Sequence, residues 1–223
     1  MNLSKSYDFF QPEKCTDRIH IVGCGSVGAT IAENLARAGL TKFTLWDFDM
    51  VEPKNLANQI FTQQDIGNPK VEALTRILSD INPDITTDLQ IKGCGWDGER
   101  LSGYVFLCVD NIDLRRRIVE KHINNPYVKA MFDFRTRLTD AQHYAADWSD
   151  FTQKKNFLGT MQFSHDEAKE ATPVSACNVE LSVAPTVRII CAFGAANFMN
   201  FVKGDGLKKM VLLDAFQMAI DAI

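Results

Sequence analysis

Apolar and polar positions change period along this 223-residue chain, and the changes mark alternating strands and helices. The run Ile-His-Ile-Val at 19–22 is short, apolar and stopped by glycine, as a buried strand is, and residues 29–38 continue at helical spacing. A second short run at 43–46 ends at Asp47. After a polar loop containing Pro53, residues Val71, Leu74, Ile77, Leu78 and Ile81 recur at helical spacing behind Pro69, and Asn82-Pro83 stops that helix. The pattern then predicts strands at 88–91 and 104–109, the second ending at Asp110, a helix over 113–124 and a strand over 128–134. Residues 139–146 and 160–163 are further strand candidates, antiparallel at one edge, and the polar stretch 164–181 reads as a crossover loop. A long apolar helix from Pro185 to Lys203 has proline in its first turn and Gly204 past its end. Such alternation predicts an α/β fold, a doubly wound, Rossmann-like and mainly parallel sheet with an antiparallel C-terminal edge. No repeat or linker divides residues 1–223, which read as a single domain with 1–17 as an N-terminal arm.

Composition narrows the classes. An apolar fraction of 46% suffices for one sizeable core. The net charge of −4 is spread over interspersed acids and bases with no basic block, so nucleic acid is not expected as a partner. The opening Met-Asn-Leu-Ser-Lys-Ser-Tyr-Asp has no apolar core, and the stretch 183–202 is broken by Pro185, Arg188, Asn197 and Asn200. Neither a leader nor a membrane span is expected, and the location that follows is cytoplasmic. Six cysteines, at 15, 24, 94, 108, 177 and 191, form no C-x-x-C pair, so neither a disulfide framework nor zinc is expected. His20, His122, His143 and His165 show no metal spacing and read as structural or exposed.

Candidate chemistry begins where the first strand ends. Gly23, Gly25 and Gly28 have the G-x-G-x-x-G spacing between a strand and a helix. In that setting the first glycine permits a tight turn, the second lets backbone N–H groups approach a phosphate, and the third lets helix and strand pack closely. Asp47, at the end of the next strand, stands where this arrangement places a carboxylate on a ribose hydroxyl. On these features alone the ligand is a nucleotide, and an NAD-dependent oxidoreductase is one reading.

The next segment favours another. Asp47-Phe48-Asp49 precedes Asn55-Leu56-Ala57-Asn58-Gln59, then Gly67-Asn68-Pro69-Lys70, and later Asp110-Asn111 at a strand end. This order resembles the ubiquitin-activating-enzyme-like superfamily, including the ThiF, MoeB and HesA adenylyltransferases, whose pattern is D-x-D, N-x-x-R-Q, G-x-x-K and D-N. The resemblance spans about 90 residues and resumes weakly at 177–204. It implies a domain that binds ATP and Mg²⁺ and adenylates the C-terminal glycine carboxylate of a small ubiquitin-like or sulfur-carrier protein, working as a homodimer. It further implies nucleotide contacts from Gly23, Gly25, Gly28, Asp47, Asp49, Asn55, Gln59 and Lys70, with Lys70 and Asp110 catalytic and Asp110 holding Mg²⁺. Cys177 lies eight residues before Pro185, a spacing like that of the crossover-loop cysteine that carries an acyl group or sulfur in some relatives, and is a third catalytic candidate.

One position departs from the pattern. Asn58 stands where the family has arginine, and an amide neither carries charge nor donates as a guanidinium fork does. Lys14, Arg18, Arg135 and Arg137 are the candidates to replace it. The departure keeps a second reading in play, a nucleotide- or partner-binding member without adenylation activity. Elsewhere, Arg115-Arg116-Arg117 reads as a solvated helix face, and Cys24, Cys108 and Cys191 as packing residues.

Overall fold

The computed structural model of the chain describes residues 1–175 and 181–223, and the candidate Cys177 therefore lies outside the described residues. Strand β1 (Ile19–Val22) pairs in parallel with β2 (Phe43–Trp46) on one side and with β4 (Gly103–Leu107) on the other. Parallel pairing continues outward to β3 (Gln90–Lys92) beyond β2 and to β5 (Val128–Thr136) beyond β4. Three antiparallel strands, β6 (Asp140–Asp147), β7 (Met210–Asp214) and β8 (Ala219–Ala222), complete the order β3-β2-β1-β4-β5-β6-β7-β8. This is the expected doubly wound, mainly parallel sheet with an antiparallel C-terminal edge.

Helices cover both faces. α1 (Ser26–Arg37), α2 (Lys70–Ile81) and α6 (Ala184–Lys203) pack on one face, where Ile31, Leu74 and Phe198 meet Ile21, Leu45, Phe106 and Phe132. α3 (Ile112–His122) and α4 (Phe151–Gly159) pack on the other, where Ile118, Val119 and Phe157 meet Val22, Trp46, Val105 and Met131. Every residue of β1, β2 and β4 is buried, which is why these strands read as continuous apolar runs rather than alternating ones. Under α6, Phe106 stacks on Phe132 at 4.7 Å and Phe198 meets Phe132 edge-on at 5.7 Å, a geometry that adds to simple area burial. Gly194 lets α6 sit down on β5, since an added Cβ would lie 2.2 Å from the Phe134 ring.

Three sequence expectations are corrected. The segment 160–163 is not a strand but the turn that follows α4, a helix with Phe157 as its buried residue and hence almost no periodic signal. The stretch 164–181 is not entirely loop, because a short α5 (His165–Glu170) starts at a capping box in which Ser164 and Glu167 satisfy each other's backbone N–H groups. β7 and β8, absent from the sequence reading, supply the antiparallel edge together with β6. Among the described residues, no helix is long and apolar enough to cross a membrane.

Candidate functional site

From β1 the chain runs outward to β2 and β3 on one side, and it later returns to β4 and β5 on the other. Ligands of open α/β sheets bind at such a switch point, outside the carboxyl ends of the two central strands. Here those ends are the glycine loop after β1 and residues 108–111 after β4.

The glycines differ in what they do. Gly23 has φ +94°, and a Cβ built on it would lie 2.7 Å from the Cys108 carbonyl carbon and the Val109 nitrogen, so the loop lies directly against the end of β4. A Cβ on Gly28 would lie 1.8 Å from the Gly23 carbonyl oxygen, which makes Gly28 the point where α1 meets the end of β1. Gly25 is open, with only Gln59 Nε2, at 4.0 Å, near a built Cβ among the described residues. It is also the N-cap of α1 and offers no side-chain cap, so the first N–H groups of the helix and its positive dipole end face the crevice. Such a helix end can hold an anion on backbone alone.

Carboxylates and one cation surround it. Asp47, nearly buried at 9% exposure, accepts from Cys24 N–H (2.6 Å) and Asp49 N–H (2.8 Å), tying the glycine loop to the loop after β2. Burial pushes its carboxyl above the usual carboxylate range, against the opposing pull of those N–H groups and the Lys70 charge. Lys70, at the first position of α2 where the helix dipole disfavours a cation, is buried and donates to Asp49 Oδ2 at 2.7 Å. Asp49 keeps half its side chain exposed, so the pair opens toward the crevice. Asn55 Oδ1 accepts from Glu52 N–H (2.9 Å) and fixes the turn that presents Asn58 and Gln59. Gln59 Oε1 is buried with no hydrogen-bond partner among the described residues, an acceptor suited to a ligand hydroxyl or amine.

At the end of β4, Asn111 rather than Asp110 caps α3, accepting from Leu114 N–H at 2.9 Å. Asp110 is thereby left exposed at the crevice mouth, with no hydrogen bond or ion pair among the described residues. The structure thus gathers Gly23, Gly25, Asp47, Asp49, Gln59, Lys70 and Asp110 at the carboxyl ends of β1, β2 and β4, while Gly28 and Asn55 shape the turns behind them.

None of the four proposed replacements for the family arginine is free to reach this crevice. Arg18 donates to the carbonyls of Phe43 (2.9 Å) and Asp88 (2.8 Å), at the amino end of the sheet. Lys14 sits in the short turn Pro12–Lys14, which packs beside Gly39 at the far end of α1. Arg137 is paired with Asp140 (2.8 Å) and Arg135 with Asp133 (2.7 Å), the latter also donating to Thr160. The solvated reading of Arg115 is also corrected. It is buried, bonded to Asp133 (2.7 Å) and to the carbonyls of Val109 and Phe134. The signal was present, because 112, 115, 119 and 122 form one helical stripe and the other three members are apolar or histidine.

Cys24 and Cys191 are fully buried, and burial raises both thiols well above the ordinary cysteine value. Cys108 is raised too, by the same cause. These three behave as packing residues, as the sequence suggests. His122 accepts from Leu101 N–H at Nε2 (3.0 Å) and faces the Ile118 carbonyl at Nδ1 (2.8 Å), a structural role.

The fold and its crevice define a doubly wound α/β domain with an uncapped helix N-terminus at the switch point. A model of the ThiF family matches residues 11–223, and the chain belongs to that family. Ubiquitin-like modifier-activating enzyme 5 of Drosophila grimshawi is 43% identical over 135 residues, covering 53% of this chain and 33% of that protein. The corresponding protein of Culex quinquefasciatus is 32% identical over 134 residues, with 53% and 33% covered. The chain thus spans about a third of the length of these relatives. Among solved structures, PaaA superposes with a TM-score of 0.73 at 16% identity over 95% of this chain and 65% of its own. A crystal structure of E. coli MccB with ATP gives a TM-score of 0.70 at 17% identity, with 95% and 65% covered. Both share the fold.

Proposed function

We propose that this chain binds ATP with Mg²⁺ in the crevice and attaches AMP to the C-terminal glycine carboxylate of a small ubiquitin-like or sulfur-carrier protein, as a cytoplasmic homodimer. The observation that carries the reading is the convergence, at one switch point, of an uncapped helix N-terminus, a buried lysine and an exposed carboxylate. On the reading as an NAD-dependent oxidoreductase, the last two have no assigned role. Relatives named for activating a ubiquitin-like modifier, and the fold shared with a protein crystallised with ATP, support the same choice.

The chemistry is a displacement at phosphorus. A carboxylate oxygen of the carrier attacks the α-phosphorus, the bond to the pyrophosphate oxygen breaks, and an acyl adenylate and pyrophosphate result. Such a step is accelerated by positioning and by charge neutralisation. The first N–H groups of α1 hold one phosphate, and Lys70 exchanges Asp49 for another. Asp47 orients the glycine loop and shares its remaining lone pairs with the ribose, and Gln59 Oε1 accepts from a second ligand donor. Asp110, an exposed carboxylate at the crevice mouth, is a donor of the kind that suits an ion carried in on phosphates. Mg²⁺ held there by Asp110 would neutralise charge on the departing pyrophosphate. Where a thioester follows, the Cys177 thiolate is proposed to attack the acyl carbon and expel AMP.

Pyrophosphate exchange tests the reading. Exchange of labelled pyrophosphate into ATP should depend on a carrier ending in glycine, and Lys70→Ala and Asp110→Ala should each lower it by roughly 100-fold or more with unchanged circular dichroism. Exchange that survives both substitutions rejects the site. NADH binding in preference to ATP rejects the function, and ATP binding without exchange across carriers favours the non-adenylating reading that Asn58 motivates.

A further inference from the structure

Two arginines converge on one carboxylate behind the crevice. Asp133, on β5, has no exposed surface, and both its oxygens are taken: Oδ1 by Arg115 from α3 and Oδ2 by Arg135 from β5 itself, each at 2.7 Å. Burying charges in this way costs desolvation that only close pairing offsets, so the cluster demands a reason. Its bonds to backbone supply one. Arg115 places Nε and Nη2 on the single carbonyl of Val109 and a third donor on the carbonyl of Phe134. Val109 immediately precedes Asp110. On its other side, the Val109 nitrogen lies against Gly23, where a built Cβ would be 2.7 Å away.

Val109, the residue before Asp110, is therefore held from two directions, by the glycine loop at its nitrogen and by the Arg115 fork at its carbonyl. We infer that Arg115 is a positioning residue: anchored by Asp133, it fixes the Val109–Asp110 peptide and so sets where the exposed Asp110 carboxylate stands against the N-terminus of α1. Asn111 cannot do this, because its side chain is spent on capping α3. A lysine could not do it either, since a point cation lacks the planar fork that meets Asp133 and two carbonyls together. The inference rests on the proposed role of Asp110 for its functional consequence and on the geometry alone for its structural one.

The test separates the two. In Arg115→Lys, hydrogen–deuterium exchange of the peptide spanning 108–112 in the ligand-free chain should quicken by about tenfold while that of β1 and α1 stays unchanged. Unaltered exchange overturns the inference whatever the protein catalyses. Should Arg115→Lys not fold, Asp133→Asn removes the anchor but keeps the fork, and the same peptide should again quicken while β1 stays fixed. For function, the Mg²⁺ concentration that half-saturates ATP binding should rise by about tenfold in Arg115→Lys, with ATP affinity in the absence of Mg²⁺ unchanged. Adding Arg115→Lys to Asp110→Asn should shift it no further. Additive effects, or equal losses with and without Mg²⁺, mean a general structural role and overturn the inference. Wild-type protein that binds no ATP fails the adenylation reading but leaves the exchange measurement decisive for Arg115.

Discussion

Gly25 and Gly28 are three residues apart and are glycine for different physical reasons. At Gly28 the obstacle is internal, because a methyl would enter the Gly23 carbonyl. At Gly25 the nearest atom to a built methyl among the described residues is Gln59 Nε2, 4.0 Å away. Gly28→Ala should therefore destabilise the fold by about 1–3 kcal/mol or more, as overpacking does, visible as a lowered midpoint in urea. Gly25→Ala should leave that midpoint nearly unchanged and weaken ATP binding in calorimetry, since its methyl enters only the crevice. An unaffected ATP affinity would remove Gly25 from the site. At this scale the sequence motif marks both glycines but cannot say which one faces the crevice and which one serves packing. Lys70 teaches the same lesson. Its place at a helix start marks it as unusual, while its ion pair with Asp49 across 21 positions requires the fold.

Elements were legible in proportion to how periodic their burial is. α2 starts at Lys70 and stops at Asn82 as its apolar spacing and the following proline dictate, and β1 and β2 match their apolar runs residue for residue. α4 buries Phe157 alone, so no pattern announces it, although Asp150 caps it by accepting from Thr152 and Gln153 N–H. α6 is largely apolar and its identity as a helix is plain, but its seat on β5 depends on Gly194. Gly194→Ala would drive a methyl into Phe134, and the ring is hemmed in by His143 stacked 4.5 Å away. Thermal unfolding should show a loss of roughly 1–3 kcal/mol, and a variant as stable as wild type would mean that α6 does not rest on β5 as described.

The whole molecule joins its parallel and antiparallel halves through a buried polar chain. His143 on β6 faces the Asp133 carbonyl at Nδ1 (3.1 Å) and Asn197 of α6 at Nε2 (3.0 Å), and Asn197 bonds in both directions to the Lys208 backbone before β7. Burial lowers His143 to about 4, and His20, which accepts from Trp46 on the face covered by α3 and α4, is likewise lowered to about 4 by burial. Both are neutral in the folded chain, whereas the unfolded chain takes up protons below about 6.5, the ordinary histidine value. Stability contributed by the neutral rings is then present above that value and lost as pH falls from it toward 4. The loss reaches roughly 3 kcal/mol for each histidine at the acid end. Urea midpoints measured between pH 7 and 4 should fall accordingly, and His143→Gln should flatten part of that slope. A slope unchanged by the substitution would mean that His143 does not titrate on unfolding in this window.

By itself the sequence determined the class of fold, because strand and helix periods are local and both faces of a parallel sheet must be apolar. It also located the glycine loop, since the spacing of glycines between a strand and a helix is local. Tertiary structure alone decided which charges are available. Arg18, Arg115 and Arg135 look alike in a list of basic residues, yet one braces the amino end of the sheet and two are paired with the buried Asp133. Asp110 is exposed because Asn111 takes the cap. Electrostatic pairing joins residues far apart in sequence, and no local pattern encodes the partner.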